Sequence, residues 1–173
     1  RAFSYCPNLS RVISDAVTVE QDAFCSCPVL QAVEMPNLES VGVSAFNSCT
    51  MLSELVAPNI RAITGSAFSN TLLVNAKFQQ LVYLEYCAFR SCSNLTSVHM
   101  PKLIEVPHYA FSSCPALVDV YLPLATYIGK HAFAPCTALV RSSLPSVETI
   151  VESAFGNCTA LVRISLPSIK TIG

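Results

Sequence analysis

The chain has 173 residues, of which 52% are hydrophobic and 12% are charged, and its formal net charge is −1. A composition this apolar excludes a disordered chain, and a net charge this close to zero provides no basic surface for nucleic acid or an anionic membrane. No apolar stretch reaches the roughly 18 residues of a membrane span. We therefore expect a folded segment that neither binds nucleic acid nor inserts into a membrane.

A repeat of 21 or 22 residues organises the whole chain. The dipeptide Ala-Phe returns eight times, with its phenylalanines at Phe3, Phe24, Phe46, Phe68, Phe89, Phe111, Phe133 and Phe155. Self-similarity at this period is typical of solenoids, in which each repeat forms one coil and stacks on the next. The sequence thus predicts one solenoid over residues 1–173, built from about eight repeats.

Each repeat predicts one short strand. A Cys follows Phe by three residues in seven units, and a Leu follows the Cys by three more. Next comes Leu-x-x-Val-x-Leu-Pro, whose alternation is that of a strand and whose Pro ends it. The fourth unit, residues 67–73, is interpreted as having lost its Cys. We expect eight parallel strands centred near Val12, Val33, Leu55, Ala76, Val98, Val120, Ser142 and Ile164.

A second apolar pair after the Pro, such as Leu103 and Val106, predicts a return side for each coil. Glycine follows the inward residue of this return side in three coils. We expect a positive φ at these glycines, because that conformation costs glycine little. They are Gly42, Gly129 and Gly173.

The frame Ala-Phe-x-x-Cys-x-x-Leu followed by Leu-x-x-Val-x-Leu-Pro, as in Ala110 through Pro123, resembles the BspA-type leucine-rich repeat. The resemblance covers the whole chain. It implies an α/β-type, right-handed leucine-rich-repeat solenoid with a parallel β-sheet on one face, mostly strand and loop with short helical turns. It also implies a cell-surface or secreted protein that binds other proteins, and it supplies no catalytic residues.

The nine cysteines are expected to be core thiols and not ligands or disulfides. Seven share one repeat position with the core residues around them, and Cys25 and Cys87 lie outside this ladder. An odd total argues against a complete disulfide framework, although neighbouring coils bring ladder cysteines within disulfide range. Cys25 and Cys27 are too close in sequence for an ordinary zinc pair. We expect no metal and no cofactor; free thiols favour a reducing compartment, whereas the resemblance favours the cell exterior.

A His99, Asp119 and Tyr121 cluster on the predicted sheet is the strongest candidate for catalysis. An open, shallow sheet excludes little water and makes a poor active site. The cluster is better interpreted as an exposed polar surface, so we expect a binding protein and not an enzyme. His108 and His131 precede Ala-Phe and are expected on the back of the coils.

The residues that flank each strand centre point outward and vary between repeats, while the inward residues barely change. Exposed positions vary by drift alone, but solenoids also use such a face to bind ligands. We therefore expect a binding or scaffold module for a protein or glycan, with a structural spacer as the alternative. The expected binding residues are Glu54, Asn75, Lys77, Ser97, His99, Asp119, Tyr121, Arg141 and Arg163.

The two ends of the sequence carry no polar capping unit. The chain starts at Arg1, just before an Ala-Phe, and ends at Gly173, just before the next one is due. A solenoid normally needs caps with a polar outer face, and an uncapped end invites association. We expect a fragment of a longer protein, or ends that associate with another copy.

Overall fold

The computed structural model describes residues 1–173 and shows a parallel β-solenoid of about seven turns. Three-residue strands form one side, the strand face: β1 Arg11–Ile13, β3 Ala32–Glu34, β5 Glu54–Val56, β7 Asn75–Lys77, β9 Ser97–His99, β11 Asp119–Tyr121 and β13 Arg141–Ser143. Two-residue strands form the return face: β2 Thr18–Val19, β4 Ser40–Val41, β6 Ala62–Ile63, β8 Tyr83–Leu84, β10 Glu105–Val106, β12 Tyr127–Ile128, β14 Thr149–Ile150 and β15 Thr171–Ile172. The expected parallel pairing is confirmed, because every paired strand runs parallel to its neighbour.

The expected α/β class with short helical turns is wrong, because the solenoid contains no helix. Its corners are turns in which an amide donates to the carbonyl three residues earlier, as Leu52 does to Cys49 at 2.9 Å. The next amides then donate to a neighbouring coil, as Ser53 does to Gln31 at 3.1 Å. A helix needs its bonds within one segment, and here the adjacent coil takes them.

A column of eight stacked phenylalanines, the Phe spine, runs along the whole solenoid. Neighbouring ring centroids from Phe3 to Phe155 are 5.2 to 5.5 Å apart and the rings are within 12° of parallel. Each Phe amide but the last donates to the Ala carbonyl of the next coil at 2.8 Å. The spine joins a single core of 48 buried residues, so stacking in register buries what no coil could bury alone.

Two residues in nearly every coil adopt a left-handed backbone, and neither is glycine. They stand two residues before and two residues after the spine Phe, as Ser44 (φ 53°) and Ser48 (φ 58°) do around Phe46. The expected positive φ at Gly42, Gly129 and Gly173 is wrong, because no glycine has one. None of the left-handed residues is Val, Ile or Thr, because a β-branched side chain is strained in this region.

Gly42 and Gly129 instead allow close contact between coils. A Cβ on Gly42 would lie 2.6 Å from the Gln21 backbone nitrogen, and one on Gly129 would lie 2.7 Å from the His108 nitrogen. Gly42 also donates a short hydrogen bond of 2.7 Å to the Val19 carbonyl. The absent side chain therefore lets the coils approach by a few tenths of an ångström more than they otherwise could.

We expect Gly42→Ala to lower the free energy of unfolding by about 1–3 kcal/mol, the usual cost of overpacking. Its Cβ meets backbone atoms, which cannot rotate away as a side chain would. Chemical denaturation of both proteins measures the effect. Gly156→Ala is the control, because the nearest atom to a Cβ there, the backbone oxygen of Ser153, is 3.2 Å away and not 2.6 Å. Equal costs for the two variants would refute the close-contact explanation.

The interpretation that the fourth unit lost its Cys is wrong. Thr71 stands three residues after Phe68, where the other coils have Cys, and its hydroxyl donates to the Phe68 carbonyl at 2.9 Å. The missing residue lies between Thr71 and the inward Leu73, which is buried. The coil consequently lacks the turn in which the Leu amide donates to the Cys carbonyl three residues earlier. The Leu72 amide instead donates to the Leu52 carbonyl of the preceding coil at 2.8 Å.

The Cys ladder is buried as expected in six of its seven positions; Cys6, in the first coil, is only half-buried. From the second coil onward each ladder thiol donates to the Phe carbonyl of the preceding coil, as Cys49 does to Phe24 at 3.1 Å. Burial raises the pKa of the Cys49 and Cys136 thiols to about 12. These thiols therefore act as apolar side chains that also hold two coils together.

The strand face is divided in two, whereas eight strands in one stack were expected. One sheet contains β1, β3 and β5, and the other contains β7, β9, β11 and β13. The division lies between the strand of the third coil and that of the shortened fourth coil. The expected eighth strand near Ile164 is also absent, and Val162 in this segment is 93% exposed.

The return face divides at a different coil, between β8 and β10. Elsewhere the residue after the return strand donates to the preceding coil, as Glu85 does to the Ile63 carbonyl at 3.0 Å. Pro107 occupies this position after β10 and has no N–H to donate. A proline in one coil thus removes one of the hydrogen bonds that would join β10 to β8. The Phe spine continues past both divisions.

Candidate functional site

Seven of the nine expected binding residues lie together on the four-stranded sheet of the strand face. The pairing register places them in two outward rows, which we call the outer rows. The first row is Asn75, Ser97, Asp119 and Arg141, and the second is Lys77, His99, Tyr121 and Ser143. Ser143, which completes the second row, was not among the expected binding residues.

The other two expected residues lie apart from the outer rows. Glu54 belongs to β5, in the three-stranded sheet, and Arg163 follows the last strand of the face and is exposed. The sequence grouped them with the other seven because it assumed evenly spaced repeats that all form a strand. The shortened fourth coil separates Glu54, and the loss of the eighth strand separates Arg163.

The first outer row holds two pairs of polar side chains. The Ser97 hydroxyl donates to Asn75 Oδ1 at 2.6 Å, and Arg141 Nε is 3.6 Å from Asp119 Oδ1. The ion pair is well exposed, with side-chain exposures of 75% and 50%. An exposed pair contributes little to stability, so both charges are free to engage a partner.

The centre of the second outer row is a pair of stacked rings. His99 and Tyr121 have ring centroids 4.6 Å apart and planes 20° apart, and Tyr121 is 39% exposed. The strand register sets the two rings side by side. The pair presents a flat, rigid, partly apolar surface between polar neighbours, as binding hot spots commonly do.

The same geometry bears on the candidate for catalysis. The carboxylate of Asp119 faces Arg141, and the His99 ring stacks on Tyr121. No group of three or more His, Cys, Asp or Glu side chains is placed to hold a metal ion. What the outer rows offer chemically is hydrogen bonding, charge and ring stacking on an open surface.

His108 and His131 contact residues of neighbouring coils, away from the outer rows. The Nδ1 atom of His108 accepts a hydrogen bond from the Lys130 amide at 2.8 Å. The His131 ring stacks on Tyr109, with centroids 5.2 Å apart. Both histidines therefore link one coil to the next.

The chain contains no helix of the length and hydropathy that crossing a membrane requires. Comparison with curated proteins finds no match. Solved structures do match over nearly the whole chain, and all of them share less than 25% sequence identity with it.

One similar structure is a leucine-rich cell surface protein from Faecalibacterium prausnitzii, with 22% identity and a TM-score of 0.59 over 99% of this chain. Another is a leucine-rich-repeat protein from T. pallidum, with 24% identity and a TM-score of 0.63 over 98% of this chain. The chain spans 61% of the length of the first protein and 72% of the second. Likeness at this level of identity supports the solenoid fold and nothing finer.

The sequence also matches the description of a protein family directly. The BspA-type leucine-rich-repeat region matches in two stretches, residues 1–83 and 63–173, with six copies. Together the stretches cover the whole chain, and they overlap in the fourth coil, where the strand face divides. The chain belongs to the BspA-type leucine-rich-repeat family, as the resemblance of its repeat frame predicted.

Proposed function

We propose that this chain is a binding module of a cell-surface or secreted protein, and that its outer rows engage a protein or glycan partner. The observation that carries the proposal is the stacked pair of His99 and Tyr121, at 4.6 Å, between polar side chains on one sheet. Family membership and likeness to a cell surface protein support the setting.

The outer rows suit a partner that offers both flat and polar groups. A sugar ring or an aromatic side chain can stack on Tyr121, while Lys77 and Arg141 contact acidic or hydroxyl groups beside it. The strands hold these side chains at fixed spacing, so little entropy is lost when a partner binds. Binding by a preformed sheet surface is how solenoids commonly use their repeats.

The test begins with an array of glycans and extracellular proteins, probed with the purified chain. For any partner found, we expect Tyr121→Ala to weaken binding by about 30-fold or more, which is the loss typical of a hot-spot aromatic. Titration calorimetry or surface plasmon resonance measures the affinity. His99→Ala should weaken the same partner, because it removes the ring that supports Tyr121.

Tyr86→Ala is the matched control, because Tyr86 is 54% exposed and lies outside the strand face. Its affinity should equal that of the unmodified chain. A partner that binds the Tyr121 and His99 variants unchanged would place the binding surface elsewhere. If no partner is found, the alternative of a structural spacer, which binds nothing on this face, is favoured.

A further inference from the structure

The strand face contains an opening between β5 and β7, which we call the strand gap. It encloses about 330 Å³. Its lining residues are Leu55, Val56, Ala57, Pro58, Asn75, Lys77 and Phe78. The gap is bordered by β5 on one side and β7 on the other, and each of these strands pairs in parallel with its other neighbour.

The width of the strand gap exceeds one strand spacing. All Cα atoms of β5 are more than 8 Å from those of β7, whereas paired strands lie about 4.8 Å apart. Two successive strand spacings add up to about 9.6 Å. The gap is therefore wider than one strand spacing, and an additional strand would need about 9.6 Å between β5 and β7.

Both edges of the strand gap carry backbone groups without partners. Residues 54 and 56 of β5 face β3, so alternation points the Ser53 carbonyl, both groups of Leu55 and the Ala57 amide into the gap. On the opposite edge, the amides and carbonyls of Asn75 and Lys77 of β7 point toward β5 and also into the gap. None of these groups forms a hydrogen bond within the chain, and such open edges readily pair with another strand.

The floor of the strand gap is apolar. Leu55 points inward but is only half-buried, whereas its counterparts Val33 and Val98 are each 1% exposed. Ala57 stands where the neighbouring coils have longer side chains such as Met35, which leaves room above it. An apolar side chain entering between the strands would bury Leu55 and fill this room.

We propose that the strand gap binds one extended peptide segment of a partner protein. The segment lies parallel to β5 and β7, hydrogen-bonds to both edges and places a branched apolar side chain on Leu55 and Ala57. Backbone pairing of this kind provides affinity, while the side-chain pocket provides specificity. The inference goes beyond the proposed function, because it uses backbone groups inside the sheet and not the outer-row side chains.

The probe is a synthetic peptide that copies residues 94–101 of this chain, a stretch whose own strand pairs in the face. Amide exchange followed by NMR is the measurement. In the free protein, the amides of Leu55, Ala57, Asn75 and Lys77 should exchange rapidly, because they have no partner. With saturating peptide their exchange should slow by about tenfold or more, as for amides that enter a sheet.

Two controls test the mechanism. The same peptide carrying backbone N-methyl groups at the positions of Val98 and His99 should not bind, since it cannot pair with the edges. A one-residue insertion after Leu72 restores the spacing of the other coils and should close the gap and abolish binding. Should the insertion variant fail to fold, Ala57→Leu provides the same test, because leucine fills the floor.

Several outcomes would overturn the inference. They are equal binding of the N-methylated peptide, unchanged binding by Ala57→Leu, protection of the four amides before peptide is added, and protection only at β1 or β13, which would mean that the peptide caps an end. Tyr121→Ala should bind the peptide normally. The experiments therefore test peptide binding in the strand gap separately from partner binding on the outer rows.

Discussion

Phe111→Ala will lower the free energy of unfolding by about 3–5 kcal/mol, as truncation of other fully buried phenylalanines does. Phe111 is 0% exposed and stacks on Phe89 at 5.5 Å and on Phe133 at 5.3 Å. Its loss leaves a cavity in the middle of the Phe spine and removes two stacking contacts at once. Neighbouring coils cannot collapse into the cavity, because their own amides are bonded across it.

Denaturation in guanidinium, followed by circular dichroism, measures this loss. Ser143→Ala, on the exposed strand face, is the control and should change the free energy of unfolding by no more than about 0.5 kcal/mol. Phe3→Ala should cost less than Phe111→Ala, because Phe3 is 50% exposed and stacks on one side only. Equal effects at Phe111 and Ser143 would mean that the inward and outward faces are assigned wrongly.

Alkaline pH will destabilise the fold steeply through the Cys ladder. Burial raises the pKa of Cys49 and Cys136 from 9.0 to about 12, so above pH 9 the unfolded chain loses protons that the folded chain keeps. The stabilisation is fully present below pH 9 and is lost as pH rises toward 12. Each thiol costs about 1.4 kcal/mol per pH unit, so these two together cost about 5 kcal/mol by pH 11.

Unfolding curves at several pH values between 8 and 11, with reductant present, measure the slope. The double variant Cys49→Ala and Cys136→Ala should have a slope that is shallower by about 2.7 kcal/mol per pH unit. Ser143→Ala is the control and should keep the slope of the unmodified chain, because it changes an exposed side chain that carries no thiol. A free energy of unfolding that stays level from pH 9 to 11 would contradict the proposed burial of neutral thiols.

Features that recur in every repeat could be predicted from the sequence. The Phe spine, the Cys ladder and the parallel pairing all follow from spacing, because stacked coils place equivalent residues on one another. The helical turns came from the general expectation for leucine-rich repeats and not from these residues. A coil of 21 or 22 residues that contains two strands uses the rest of its length in turns.

Features that belong to one coil were harder to predict, although their signals are in the sequence. Thr71 stands at the Cys position three residues after Phe68, so counting from Phe would have found the true site of the deletion. Pro107 stands where the other coils have a backbone donor, and the return face divides at this coil. The spacing of the repeats does not show how far apart neighbouring strands lie. For this reason the sequence grouped Glu54 with the residues of the outer rows, from which the strand gap separates it.

The strand gap also determines how the solenoid axis bends. On the side of the Phe spine the third and fourth coils keep the ordinary ring separation of 5.3 Å, while on the strand face they are more than 8 Å apart. Opening one side of a stack while the other stays closed tilts all later coils as one body. Solenoids usually curve through a small rotation at each repeat, and here the step between the third and fourth coils adds a wedge of its own.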